Sequence, residues 1–147
     1  MITFIEKLDK AALVGKNINI SYKDLLNQID QFAAHLRNIK NKKVVIFSEN
    51  RPEWIFALYA VWKQEGTVVP VDVFSALDDV AYILSDCDPE VVFCSAEKYE
   101  FVVQATREAG KQPEILIFEK ITPAVTEKPA GAFSITDTER TALILYT

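Results

Sequence analysis

The most informative part of this sequence is Lys43-Val44-Val45-Ile46-Phe47-Ser48. Its apolar residues are consecutive and mostly β-branched, which favours an extended backbone. A strand with one face in water would instead alternate apolar and polar residues. The run is typical of a strand that is buried on both faces, so it predicts the interior of a parallel sheet with helices packed on either side.

Three further segments have the same character, and stretches with helical periodicity separate them. We predict strands at residues 67–72, 90–94 and 114–118 and helices at 77–85 and 97–109. Another helix begins at Pro52 and stops at Gly66, while Pro70 is expected near a strand end and Gly110 at a helix cap. The alternation predicts an α/β fold with a mostly parallel, helix-covered sheet.

The chain before this region predicts a hairpin and an amphipathic helix. Residues 12–20 alternate around a turn, and Ser21 followed by Asp24 is a helix N-terminal signal. The helical stripe that follows consists of Leu25, Leu26, Ile29, Phe32, Ala33, Leu36 and Ile39.

The last part of the chain has a different composition. Residues 120–138 contain Pro123, Pro129 and Gly131 and predict an irregular connector. The apolar run at 142–146 then predicts another buried strand, and the chain ends within it. With 147 residues, the whole reads as one domain.

Composition excludes several classes of protein. The net charge is −5 without a basic stripe, which argues against a nucleic-acid partner. No apolar run is long enough for a transmembrane segment, and the N-terminus does not resemble a signal peptide. Cys87 and Cys94 have neither zinc nor redox spacing, so we expect buried free thiols and a cytoplasmic location.

Few residues suggest chemistry of their own. The four glycines are isolated, so no glycine-rich phosphate loop is present. We predict no catalytic and no metal-binding residue. His35 is expected at the boundary of a helix, the acidic residues Asp86, Asp88 and Glu90 at a helix end, and the aromatic residues Trp54, Tyr59 and Trp62 as core or interface anchors.

Six segments, taken in order, carry a resemblance to a known family. They are Asn19-Ile20-Ser21-Tyr22-Lys23-Asp24-Leu25, Ala33-Ala34-His35-Leu36, Glu49-Asn50-Arg51-Pro52-Glu53-Trp54, Gly66-Thr67-Val68-Val69-Pro70-Val71-Asp72, Val80-Ala81-Tyr82-Ile83-Leu84-Ser85-Asp86-Cys87, and Thr138-Glu139-Arg140-Thr141-Ala142-Leu143-Ile144-Leu145-Tyr146-Thr147. Together they resemble the AMP-binding, adenylate-forming enzymes from about residue 12 onward. One departure is Asn41-Lys42-Lys43-Val44, where the family often has Gly-Asp before the first buried strand.

The resemblance implies an N-terminal subdomain, with residues 1–147 ending just before the Ser/Thr/Gly-rich phosphate loop. Thr147 would be the start of that loop and a contact for ATP in the full-length protein only. Such enzymes use ATP and Mg²⁺ to convert a carboxylate into an acyl-adenylate, and coenzyme A then forms the thioester. We expect none of these groups to bind this chain alone, because the pocket and catalytic residues lie further on.

The substrate class is open at this point. The Glu49–Trp54 segment leans toward a long-chain fatty acid–CoA ligase of fatty acid metabolism, with a fatty acid or another carboxylate as substrate. Alternatives are an amino-acid or aryl-acid adenylation module that loads a carrier protein, and an independent α/β binding domain. A chain ending within an apolar strand could also associate with a second copy.

Overall fold

The computed structural model describes residues 1–122 and 131–147, apart from the side chain of Phe4. In chain order the strands and helices are β1 (Ile2–Ile5), β2 (Ala11–Gly15), β3 (Ile18–Ser21), α1 (Tyr22–Ala34), β4 (Lys43–Phe47), α2 (Pro52–Lys63), β5 (Thr67–Pro70), α3 (Leu77–Cys87), β6 (Val91–Cys94), α4 (Tyr99–Ala109), β7 (Glu114–Ile117) and β8 (Phe133–Ile135). None of the helices in this part of the chain combines the length and apolar character needed to cross a bilayer.

Four parallel strands form the central sheet, in the order β5-β4-β6-β7. In register, Val44 of β4 lies opposite Val68 of β5 and Val91 of β6. The residues of β4 from Val44 to Phe47 are at most 1% exposed, so the strand is buried on both faces as its sequence predicts. The predicted parallel α/β sheet is therefore confirmed.

Helices cover both faces of the sheet. Val44 and Ile46 of β4 belong to a core shared with α1 and α2, whereas Val45 and Phe47 belong to a second core shared with α3 and α4. Fully burying one such side chain contributes about 1.5–3 kcal/mol. The alternation of side chains along one apolar strand thus builds two cores at once.

Local signals before the sheet also operate as predicted. The β2–β3 hairpin leads into α1, where the Ser21 hydroxyl accepts a hydrogen bond of 3.1 Å from the Asp24 amide. The predicted stripe of α1 and the turn after it is buried. At the far end of the sheet, Gly110 ends α4 with φ +65, in the left-handed region.

Two predictions about the chain ends need correction. Residues 120–138 are not wholly irregular, because β8 lies among them and pairs antiparallel with β1, an element that the sequence did not indicate. Pro123 and Pro129 fall outside the described residues. In this chain the run at 142–146, predicted to be a buried strand, lies exposed at the edge of the sheet: among the described residues it meets the sheet at β5, and Leu143 and Leu145 are 40% and 64% exposed. A central place for this run in a full-length enzyme stays a prediction.

Candidate functional site

The order of the strands opens a crevice at the carboxyl ends of the central strands. From β4 the chain passes through α2 on one face to β5, and from β5 through α3 on the other face to β6. The loops that leave the carboxyl ends of β4 and β6 therefore run to opposite faces. In open α/β sheets such a switch point is where ligands bind.

Arg51, four residues after β4, is the centre of a polar cluster at the carboxyl ends of the strands. Its Nε and Nη2 donate to the two carboxylate oxygens of Glu53 at 2.9 and 3.0 Å. Its Nη1 donates to Glu119, which follows β7, and lies 3.6 Å from Glu49. The guanidinium also lies 5.6 Å from the centre of the Phe118 ring. One cation thus joins loops from two strand ends.

The remaining contacts of the cluster lie on the β6 side. Ser95 donates its hydroxyl to Glu49 at 2.9 Å, and the Ala96 amide donates to Glu119 at 2.8 Å. Ser95 is completely buried, so its hydroxyl requires this partner. The cluster links the carboxyl ends of β4, β6 and β7.

The cluster shifts the ionisation of its members. Hydrogen bonding to Glu53 raises the pKa of Arg51, and the same contact lowers the pKa of Glu53. Burial works against ionisation of Glu49 and Glu119, but hydrogen bonds and the charge of Arg51 outweigh it and lower the pKa of both carboxyl groups. All four side chains are therefore charged at neutral pH, and Arg51 is committed to its carboxylate partners.

Beside the cluster lies a cleft of about 510 Å³ at the carboxyl ends of β4 and β5. It is lined by Ser48, Glu49, Asn50, Trp54, Pro70, Val71, Asp72, Val73, Phe74, Leu145 and Tyr146. Glu49 belongs to both features, because it lines the cleft and accepts the Ser95 hydroxyl. Phe74 is 91% exposed, so one rim of the cleft is apolar and open.

The segment of residues 142–147, which we call the edge segment, brings Thr147 to this end of the molecule. It runs parallel to β5, with Leu143 opposite Val68, so its carboxyl end emerges where β4 and β5 end. Tyr146 lines the cleft and also a neighbouring hollow of about 310 Å³, whose wall includes Thr147. The Tyr146 hydroxyl donates to Asp86 of α3 at 2.5 Å, a contact that raises the pKa of the phenol.

The residues present do not form a complete triphosphate site. Among the described residues that line the cleft, none is Lys or Arg, while Glu49 and Asp72 are acidic. A triphosphate is normally held by converging backbone N–H groups and a cation. No group of three potential ligands for a metal ion occurs among the described His, Cys, Asp and Glu side chains.

The remaining residues discussed in the sequence analysis stabilise helix ends or are buried in the core. His35 caps α1 and donates from Nε2 to the Thr122 carbonyl at 3.2 Å. Asp88 ends α3 and pairs with Lys111 at 2.9 Å. Cys87 and Cys94 are buried and free, and burial raises the pKa of these thiols to about 11 and about 12. These readings from the sequence are confirmed.

The sequence interpretation missed the importance of Arg51, Ser95 and Glu119. Each lies just after a predicted strand, and the carboxyl ends of parallel strands meet at one edge of a sheet. Their positions just after predicted strands are therefore a signal, present in the sequence alone, that groups the three residues. Trp54 and Trp62 were predicted as anchors, and each is partly buried against the core of α1 and α2.

Comparison with known proteins identifies a family and several relatives that this chain resembles. A family model described as AMP-binding enzyme matches residues 5–147. Tyrocidine synthase 1 of Brevibacillus parabrevis is 27% identical over 115 residues, which cover 76% of this chain and 10% of that protein. The D-alanine–D-alanyl carrier protein ligase of Listeria innocua is 29% identical over 82 residues, 53% of this chain and 16% of that ligase.

Solved structures share the fold. The N-terminal subdomain of Klebsiella oxytoca NpsA, in complex with 3-hydroxybenzoyl-AMSN, matches with a TM-score of 0.76 and 25% identity. The match covers 95% of this chain and 34% of that one. This chain therefore spans between a tenth and about a third of the lengths of the three proteins compared with it.

Proposed function

Because the chain belongs to the AMP-binding enzyme family, we propose that it is the N-terminal part of an adenylate-forming enzyme whose phosphate loop begins at Thr147. The observation that carries this proposal is the course of the edge segment. It runs parallel to β5, so that Thr147 lies at the carboxyl ends of the strands and lines the hollow beside the cleft. A loop continuing from Thr147 would start at the carboxyl ends of the strands, the side of open α/β sheets on which ligands bind.

We further propose that the substrate is an amino acid or an aryl acid. The ligase from Listeria is named for joining D-alanine to a carrier protein, and the NpsA subdomain is bound to a 3-hydroxybenzoyl compound. The curated relatives also include synthases named for tyrocidine, plipastatin and linear gramicidin. Nothing in these relatives supports the long-chain fatty acid that the Glu49–Trp54 segment suggested, so the adenylation module is preferred.

The proposed reaction has two steps. The carboxylate oxygen attacks the α-phosphorus of ATP, which forms an acyl-adenylate and releases pyrophosphate. A thiol then attacks the acyl carbon, forming a thioester and releasing AMP. The thiol belongs to a carrier protein in the preferred proposal and to coenzyme A in a CoA ligase. When bound, Mg²⁺ would offset the negative charge that develops on the leaving pyrophosphate.

Within this chain, the proposed contact with ATP is the Thr147 hydroxyl, which is a donor and an acceptor. The cleft residues would support the start of the loop rather than react. The free, buried thiols of Cys87 and Cys94 have no place in the mechanism and are compatible with the proposed cytoplasmic location.

The test is ATP–pyrophosphate exchange by the complete natural protein with a panel of amino acids, hydroxybenzoic acids and fatty acids of several lengths. We expect exchange with an amino acid or an aryl acid and only background exchange with fatty acids. Exchange with long-chain fatty acids, followed by thioester formation with coenzyme A, would reinstate the CoA ligase. A protein that activates no carboxylate would refute the proposal.

A further inference from the structure

The edge segment has little backbone pairing to hold it. In the described part of the chain, its hydrogen bonds to β5 involve Val68 alone, which donates to the Ala142 carbonyl and accepts from the Ile144 amide, each at 2.9 Å. Each position from Ala142 to Tyr146 is apolar or aromatic. A slip by one residue would replace Ile144 at the core by a leucine, so the apolar pattern alone sets the register weakly.

Side chains of α2 and β5 add contacts to those of the backbone. The Trp62 indole donates from Nε1 to the Ala142 carbonyl at 2.8 Å, so that this oxygen accepts from both Trp62 and Val68. The Thr67 hydroxyl donates to the neighbouring Thr141 carbonyl at 2.8 Å. Arg140 lies 3.5 Å from Glu65 in the turn before β5. Two consecutive carbonyl groups are thus held by side chains as well as by the backbone, and the Arg140–Glu65 pair ties these contacts to one position of the chain.

We infer that Trp62 and Thr67 are positioning residues that hold the edge segment in place against β5 and thereby set the location of Thr147. The inference rests on the proposed function for its link to ATP. A slip of one residue would displace Thr147 by about 3.3 Å along the strand. Displacement of a reacting group by even 1 Å can lower a rate by about 100-fold. Neither residue touches the substrate in this account, because both act through the backbone of residues 141 and 142.

The experiment compares variants of the complete natural protein. The double variant Trp62→Phe/Thr67→Val removes both donors and keeps most of the apolar volume. Thr67→Ser keeps the hydroxyl. Thr106→Val is the matched control, because Thr106 is 7% exposed like Thr67 and donates its hydroxyl to a backbone carbonyl, that of Val103 at 2.8 Å, but lies in α4.

Two readouts are combined. Hydrogen exchange of the Ile144 amide reports the hold on the segment, and steady-state pyrophosphate release gives kcat and KM for ATP and for the acid. In the double variant we expect faster exchange at Ile144 and a loss of about 10- to 100-fold in kcat/KM for ATP. The KM for the acid should change little. Thr67→Ser alone and Thr106→Val should resemble the wild type in both readouts.

Unchanged exchange and unchanged kcat/KM for ATP in the double variant would overturn the inference, as would an equal loss in Thr106→Val. A wild-type protein that activates no carboxylate would refute the proposed function and with it the link to ATP. The exchange of the Ile144 amide would still decide whether the two donors hold the segment, so the two failures are distinguishable.

Discussion

Glu65 and Gly66 turn the chain from α2 into β5, and they do so by different properties. Glu65 adopts φ +62, in the left-handed region where glycine is usual, and its carboxylate pairs with Lys40 at 2.7 Å. Gly66 lies between Ile39 and Val61, and a Cβ there would be 2.8 and 2.9 Å from their methyl groups. The sequence predicted the end of the helix at Gly66, whereas α2 ends at Lys63.

Gly66→Ala is therefore expected to destabilise the protein by steric overlap. Because Ile39 and Val61 are completely or almost completely buried, neither can move freely, and overpacking of this kind costs about 1–3 kcal/mol. Denaturant unfolding measures the loss. The control is Gly131→Ala, where the new methyl group meets no atom of the described residues within 4 Å and the stability should stay within about 0.5 kcal/mol of wild type. Equal losses at the two positions would contradict the steric account.

At the scale of elements, local sequence predicts a strand well when the apolar residues of that strand are themselves the cause of its burial. The strand predicted at 90–94 and the structural β6 (Val91–Cys94) differ by one residue, because its apolar run is itself the reason for burial. The pair β1–β8 shows the opposite case. Ile2 pairs with Ile135, so the partner of a four-residue strand lies at the other end of the chain. No local pattern carries that information, since the pairing depends on the finished fold.

The Arg51 cluster gives the joined strand ends a dependence on pH. The pKa values of Glu49, Glu53 and Glu119 are lowered in the folded protein, so these groups bind fewer protons when folded than when unfolded. Stability from the cluster is therefore present above the ordinary carboxyl range and is lost as the pH falls through and below about 4. Arg51→Met removes the cation and should flatten this dependence.

At pH 7 we expect Arg51→Met to be less stable by about 1–2 kcal/mol, because the cluster is partly open to solvent and is screened. The gap should narrow toward pH 3. Urea midpoints at several pH values measure both effects. Arg37→Met is the control, since Arg37 is exposed and the change in net charge is the same. Parallel pH profiles for wild type and Arg51→Met would rule out the cluster as the source of the pH dependence.

The edge segment leads to a prediction about association. Leu143 and Leu145 are exposed on the edge segment, which extends the sheet beside β5 and has no strand on its outer side in the described part of the chain; such edges pair with other chains. A 147-residue chain should therefore show a mass that rises with concentration in size-exclusion chromatography with light scattering. Leu145→Lys should suppress the rise, whereas Val14→Lys, a charge at another exposed aliphatic position, should not. A constant monomer mass for the wild type would argue against pairing.

At the scale of the whole molecule, the cleft, the Arg51 cluster and the hollow beside Thr147 lie together around the carboxyl ends of the strands. The local sequence predicted the sheet, and the family resemblance implied a contact at Thr147 in the full-length protein. The cleft, however, is assembled from segments as distant as Ser48 and Tyr146. Its residues become neighbours only through the order of the strands. The cleft shares the negative charge of the whole chain: Glu49 and Asp72 line it, and the net charge of the chain is −5.

These features predict that the 147 residues alone bind ATP–Mg²⁺ weakly. Glu49 and Asp72 line the cleft, and the lining described by the structure contains no Lys or Arg to attract phosphates. The four glycines are separated along the chain and cannot form a loop whose backbone N–H groups converge on an anion. Isothermal titration should therefore show no saturable binding of ATP–Mg²⁺ below about 1 mM.

The complete natural protein is the control in the same titration, with a carboxylic acid substrate present to follow pyrophosphate release. If it binds ATP and the 147-residue chain does not, the missing affinity resides outside these 147 residues, because the cleft and the edge segment are common to both. Micromolar binding by the 147 residues would contradict this division. It would mean that backbone groups around the cleft hold the nucleotide against the charge of Glu49 and Asp72, and Asp72→Asn should then strengthen the binding by removing one of the two repelling charges.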